Sequence, residues 1–181
     1  MTNSTSKSLS FPQAIAATQS LMEQIEAGQL DESTLEQEIT SLISSKQSAR
    51  GFFVAYLTSD MSLADNPSPG ILKGLKSSNE VSTELLVKNL AMSSAMIVTH
   101  TRNGDRESMV GSQRVCLRTS NIIKQLESES ISLQLRKLHN TIQNEQGEYQ
   151  EFLKRWNYDI EQRKAIQKSI SNHLAQHFDL S

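Results

Sequence analysis

The stretch EVSTELLVKNLAMSSAMIVTHTRNGDRESMVGSQRVCLRTSNIIKQL, residues 80–126, decides the fold. Its first part, from Glu80 to Arg102, is apolar nearly all round: Val81, Leu85, Leu86, Val87, Leu90, Met92, Met96, Ile97 and Val98 fall on every side of a helical wheel. A helix of that kind belongs at the centre of a bundle. Ala91, Ser93, Ser94 and Ala95 are small and allow a neighbouring helix to come close. Glu84, Lys88 and Asn89 interrupt the apolar run, so it reads as a core helix and not a bilayer span. Asn103-Gly104-Asp105 is a tight turn. A second helix then runs from Arg106 to about Leu126, with Met109, Val115, Cys116, Ile122, Ile123 and Leu126 inward. So short a connection makes the two helices antiparallel neighbours.

Towards the N-terminus the helix signals are capping signals. Ser10 and Gln13 have capping-box spacing, and Pro12 suits a first turn. Ala14, Ile15, Thr18, Leu21, Met22 and Ile25 then share a face, and Gly28 stands where a left-handed closing residue is wanted. Asp31 or Ser33 opens a second helix, with Leu35, Ile39, Leu42 and Ile43 inward. Ser44, Ser45 and Ser48 weaken that helix, and Gly51 is expected to end or bend it. The run Phe52 to Leu57 fits a short buried strand or a buried helix equally by periodicity. With no second strand candidate to pair with it, it is read as helix, since a lone strand strands its backbone polar groups. Asp65 to Gly70 is a loop, followed by a short helix near Ile71 to Lys76.

Towards the C-terminus, Ser128 to Ser132 marks a break. Ile131, Leu135, Leu138 and Ile142 then form an a/d seam that Gly147 ends. Tyr149, Phe152, Leu153 and Trp156 form the next apolar face. Asn157-Tyr158-Asp159 is a turn, Asp159 with Gln162 suits a new N-cap, and the last helix carries Ile160, Ile166, Ile170 and Leu174. The expected fold is therefore an all-α bundle of roughly seven to nine helices around a central apolar antiparallel pair. Residues 1–10 are expected to be a disordered tail, and 11–178 one helical domain with a possible subdivision near 128–147.

Composition agrees. Hydrophobic residues make up 36% and charged residues 21%, enough apolar content for a core. Seven Gly and three Pro are too few for many short strands. A single cysteine, Cys116, excludes a disulfide framework within the chain and suits a reducing, cytoplasmic compartment. The first ten residues lack the apolar core of a signal peptide. Net charge is -2, but residues 1–70 carry three basic and eight acidic side chains, leaving the remainder of the chain basic.

No phosphate loop, dinucleotide-binding glycine pattern or GxSxG elbow occurs, and no cofactor is expected. His173 and His177 have the i, i+4 spacing that can hold zinc, but no glutamate lies between them, and no metal is expected. Cys116 lies on an apolar stripe and reads as a core residue. The cluster that stands out is His100, Arg102, Arg106, Arg114 and Arg118, with Asp105 and Glu107 among them. Arg114 and Arg118 are four apart on one helix, where like charges repel by about 0.2–0.5 kcal/mol, so something acidic must offset them. It is either an internal acid such as Glu80, Glu84 or Glu107, or an anionic ligand or partner surface. A second basic group spans Lys154 to Lys168: Lys154, Arg155, Arg163, Lys164 and Lys168 against Asp159 and Glu161.

Cys116-Leu117-Arg118 with Ile122-Ile123 resembles the chromophore-attachment helix of phycobiliproteins. Thr119 stands where that helix has an acidic residue, however, and no pigment attachment is implied. Ala49-Arg50-Gly51-Phe52-Phe53 and Ser112-Gln113-Arg114-Val115 are similar to stretches of small uncharacterised all-helical cyanobacterial proteins, a likeness that implies no activity. The functional expectation is a non-enzymatic interaction or regulatory protein that meets a protein partner through the arginine-rich surface. The alternatives are a nucleic-acid-binding regulator using the basic hairpin 148–177, and an enzyme on an anionic small molecule with His100 as acid/base.

Overall fold

The computed structural model describes residues 9–176. Among the described residues the chain forms nine α-helices and one short 3-10 turn, with no strand: the protein is an all-α multi-helix bundle. Two compact units follow one another along the chain and divide between Leu85 and Leu86, inside the fifth helix.

The first unit holds α1 (Phe11–Glu26), α2 (Glu32–Leu42), α3 (Lys46–Thr58), the 3-10 turn Ser62–Asp65 and α4 (Pro69–Ser77). The capping box forms as its spacing predicts: Ser10 Oγ accepts from Gln13 N, and Gln13 Oε1 accepts from Ser10 N at 2.9 Å. Gly28 closes α1 with φ +66°. Asp31, not Ser33, caps α2, accepting from Thr34 N at 2.7 Å. The helix break falls at Ser44-Ser45, where the Ser45 hydroxyl caps a new helix by accepting from Ser48 N.

Gly51 therefore lies inside α3 and does not end a helix. Its role is close approach, because α1 packs against α3 there. A Cβ at Gly51 would stand 2.6 Å from Ala14 Cβ and 2.7 Å from Phe11 O. The run 52–57 is helical, and its burial shows why. Phe52, Phe53, Tyr56 and Leu57 are buried while Val54 is 44% exposed, an i, i+1, i+4, i+5 pattern that a strand cannot make. The rings of Phe52 and Tyr56 stack at 5.3 Å, and Phe53 meets Phe52 edge-on at 5.2 Å.

The second helix pair of this unit, α2 and α4, uses the same device. A Cβ on Gly74 would meet Ile39 Cβ at 2.5 Å. Ser68 makes no side-chain cap for α4. The carboxylate of Glu32, on α2, accepts instead from Gly70 N and from Ser68 Oγ, and so satisfies an orphan donor of α4 from across the crossing.

The second unit contains most of α5 (Asn79–Arg102) with α6 (Arg106–Leu126), α7 (Glu129–Asn144), α8 (Gln150–Arg155) and α9 (Ile160–Gln176). Gly104, with φ +67°, allows the tight α5–α6 turn. By length and composition α5 is apolar enough to cross a membrane, yet half of its most apolar window is buried within the protein, as for a core helix. Leu86, Val87, Leu90, Ala91 and Ala95 are fully buried, whereas Met92, Met96, Ile97 and Val98 are only half-buried. The buried side of α5 is thus completed by small residues. Ser93 and Ser94 tolerate burial because each hydroxyl donates back to a carbonyl of its own helix, at 2.7 Å to Asn89 O and to Leu90 O.

Ser94 is also where three helices meet. Its Oγ lies 2.8 Å from Ser169 Oγ on α9 and 3.5 Å from Cys116 Sγ on α6. Gln162 Nε2 donates to Thr99 Oγ1 at 2.9 Å, so α9 runs antiparallel to α5. Ser120 Oγ lies 3.2 Å from His173 Nε2, so α6 and α9 run parallel. α7 packs against α9 through its apolar seam, with Ile131, Leu135, Leu138 and Ile142 buried.

Two glycine substitutions should move stability in opposite directions. Gly51→Ala forces its methyl onto the α1 backbone and should cost about 1–3 kcal/mol. Gly111→Ala, in α6, places its methyl where nothing lies within 4 Å. It should stabilise by about 0.5–1 kcal/mol, since alanine loses less backbone entropy. Urea denaturation of both variants checks the pair. A neutral Gly51→Ala would mean that α1 and α3 are not in contact at that crossing.

Candidate functional site

The five residues singled out in the sequence do not form one surface. Arg102 is an internal clamp. Its guanidinium ends α5 and engages two acids at the start of α9, donating to Asp159 Oδ1 at 3.2 Å, to Asp159 Oδ2, and through Nε to Glu161 Oε2 at 3.0 Å. These acids differ from the ones expected as internal partners. The bonds from Asp159 and then Glu161 raise the Arg102 pKa further. Asp159 is held down to about 2, first by the Arg102 bond and then by the backbone N–H of Gln162, which it caps. His100 Nδ1 lies 3.7 Å from Asp105 Oδ2, an ion pair when the imidazole is protonated. Asp105 caps α6 by accepting from Ser108 N at 3.1 Å, the bonds to Ser108 being the main reason its carboxyl is lowered.

Arg118 is only 4% exposed and faces inward beside Thr119 and Ile122. A guanidinium keeps its charge when buried, so it is held as part of the packing. Arg106 is exposed and Arg114 half-exposed. These two remain on the outside of α6.

The outer face of α6 carries a feature that the inward stripe hid. Val110 is 43% exposed and Leu117 72% exposed. They lie seven residues apart, hence on one side of the helix. Arg106, Arg114 and Lys124 lie around them on the same side, and Gly111 leaves open space beside Val110. The signal was present in the sequence: two branched apolar residues at heptad spacing, out of phase with Ile122, Ile123 and Leu126.

Two further expectations shift at the α8–α9 corner. The sequence pattern puts Trp156 on an apolar face and Ile160 among the apolar residues that the last helix carries. Tyr149 and Leu153 are buried, but Trp156 is 49% exposed and Ile160 72% exposed. Trp156 closes α8 as its C-cap, and Ile160 opens α9 about a third of a turn away from the Ile166 side. Tyr158, between them, is buried, and burial pushes its phenol up to about 12.

A cleft of about 230 Å³ lies between the end of α7, α8 and α9, lined by Thr141, Glu145, Gln150, Leu153, Lys154 and Arg163. Its hydroxyl, on Thr141, donates to Lys137 O at 2.8 Å, and no histidine or cysteine lines it. Cys116 is half-buried beside Ser94. His177 lies outside the described residues. Among the described residues no group of three metal-ligating side chains occurs.

The fold defines an all-α multi-helix protein. The chain belongs to a family described as uncharacterised conserved protein UCP020893, whose model matches residues 10–173. No curated protein and no solved structure matches the chain.

Two measurements test this placement. Arg118→Ala removes a side chain that is only 4% exposed and should destabilise by about 1–3 kcal/mol, whereas Arg106→Ala, at an exposed position, should stay within about 0.5 kcal/mol. Equal, small effects would place Arg118 at the surface. The second concerns pH. A carboxyl lowered to about 2 in the folded protein, against an ordinary 3.8, stabilises fully above the ordinary value. That stabilisation disappears as pH falls through the folded value, so the window is roughly pH 4 to 2. Asp159→Asn should flatten the fall of melting temperature across this window, and an unchanged slope would show that the Arg102 clamp does not form.

Proposed function

We propose that the protein is a non-enzymatic interaction protein whose docking surface is the outer face of α6, and that its partner presents an acidic, amphipathic helix. The observation that carries this is the exposed pair Val110 and Leu117 at heptad spacing, set among Arg106, Arg114 and Lys124. Scattered surface leucines need no explanation. Two apolar anchors on one line of a helix, with cations beside them, have the form of a helix-docking site. The basic rim selects acids through steering and register. Arginine at two of the three positions suits carboxylates, because the guanidinium meets them in bidentate fashion. Gly111 lowers the rim and lets a helix approach the α6 backbone.

A catalytic reading has less support. His100 is turned to Asp105, and Arg102 is occupied by Asp159 and Glu161, so neither is poised for an anionic substrate. A duplex reader built on α9 is also disfavoured. The N-terminal residues of a recognition helix contact base edges, and here that end carries Asp159 and Glu161.

A photo-crosslinking residue at position 117, in cells that produce the protein, tests the proposal against the same residue at Gln125. Position 117 should trap an acid-rich helical segment of another protein, and Val110→Asp should abolish the adduct without changing the far-ultraviolet circular dichroism spectrum. Equal adducts from both positions, or a trapped segment without acidic residues, would overturn the proposal. An adduct with a second copy of this chain would replace the partner with self-association.

A further inference from the structure

The geometry points to a second docking surface: the α8–α9 corner binds an anionic lipid surface peripherally, with Trp156 and Ile160 entering the interface and Lys154, Arg155, Lys164 and Lys168 lying over the headgroups. Trp156 and Ile160 are 49% and 72% exposed and stand on either side of the tight turn Asn157-Tyr158-Asp159. Asn157 adopts the left-handed conformation, φ +48°, that makes the turn sharp.

The exposure of these side chains is built, not frayed. Tyr158 between them is buried, and its ring meets Phe152 edge-on at 6.1 Å. Arg163 Nε donates to Tyr158 O at 2.9 Å. The Asp159 carboxylate caps α9 by accepting from Gln162 N at 3.0 Å and is gripped by Arg102. Tyr158, Asp159 and Arg163 thus fasten the corner from which the Trp156 and Ile160 side chains project.

The charges fit a lipid surface. Lys154, Arg155, Lys164 and Lys168 are all exposed. Ile160, Lys164 and Lys168 follow at i, i+4 and i+8, along one outward line of α9. The acids nearest the tip, Asp159 and Glu161, are engaged by Arg102 and repel anionic headgroups less than free carboxylates do. Tryptophan favours the headgroup level because its ring is apolar and its N–H polar, and long basic side chains extend around it to the headgroups. Each basic side chain close to an anionic membrane strengthens binding by about five-fold. A nucleic acid would use the same cations, but Trp156 and Ile160 would then stay in water, because phosphates offer them no apolar partner.

The test is flotation of the full chain with vesicles of phosphatidylcholine mixed with phosphatidylserine, against vesicles of phosphatidylcholine alone. The protein should float with the mixed vesicles, not with the neutral ones, and binding should weaken as salt rises. Lys164→Glu with Lys168→Glu should reduce binding at least 25-fold, about five-fold for each cation lost. Trp156→Ala with Ile160→Ala should reduce it by a similar factor at unchanged charge. All four positions are exposed, so both variants should keep the wild-type circular dichroism spectrum. Leu117→Ser, on α6, should float like the wild type, so loss of the α6 partner and loss of lipid binding are distinguishable. No flotation with the mixed vesicles, or flotation that survives the Trp156 and Ile160 changes, overturns the inference. So does salt-sensitive binding to duplex DNA that exceeds binding to the vesicles.

Discussion

Helix axes approach only as far as the side chains between them allow, and in this protein that limit is set by residues that are small or missing a side chain. Gly51 and Gly74 sit against Ala14 and Ile39, and there is no room for a Cβ at either. The pairs α1–α3 and α2–α4 form at these places. In the second unit the same constraint is met by Ser94, which lies against Ser169 and close to Cys116. Where the backbones come close, hydroxyls must be satisfied locally. Ser93, Ser94 and Thr18 do this by donating to the carbonyl one turn back. Close contact through small residues leaves fewer large side chains inside. It also explains why α5, apolar on all sides, keeps several of its bulkier residues half-buried.

Helix ends were well marked in the sequence, because capping is local chemistry. Ser10 with Gln13, Gly28 and the Asn103-Gly104-Asp105 turn all act as their residue types require. The stretch 52–57 was decidable because a strand without a mate leaves its backbone unpaired. What stayed hidden depends on neighbours distant in sequence. Gly51 looked like a helix end, since glycine is poor in helices, and only the crossing of α1 explains its place. Glu32 showed no sign that it would cap α4, thirty-eight residues away at Gly70. The arginines illustrate the same limit. Spacing told that Arg114 and Arg118 share a side, but burial separates them. The partners of Arg102, Asp159 and Glu161, lie more than fifty residues away.

The candidate surfaces share a logic. A folded chain with 36% hydrophobic residues leaves some outside as a matter of course. On the second unit Val110, Leu117, Leu133, Trp156 and Ile160 are left outside; cations stand near four of them, with Glu107 beside the α6 pair and Asp159 and Glu161 beside the corner. Val110 and Leu117 have Arg106, Arg114 and Lys124 around them, while Trp156 and Ile160 have Lys154, Arg155, Lys164 and Lys168. The acidic excess lies in the first seventy residues. The chain therefore separates its charge along its length, acidic over the first seventy residues and net basic after them.

Trp156 is the only tryptophan in the chain. It sits half-exposed at the α8–α9 corner, whereas the tyrosines Tyr56, Tyr149 and Tyr158 are buried. The indole emission of the native protein is therefore that of a partly hydrated ring, and unfolding hydrates it further. Occupation of the corner by an apolar surface shifts the same emission to the blue. The molecule thus carries a single intrinsic optical probe at one edge of its second unit.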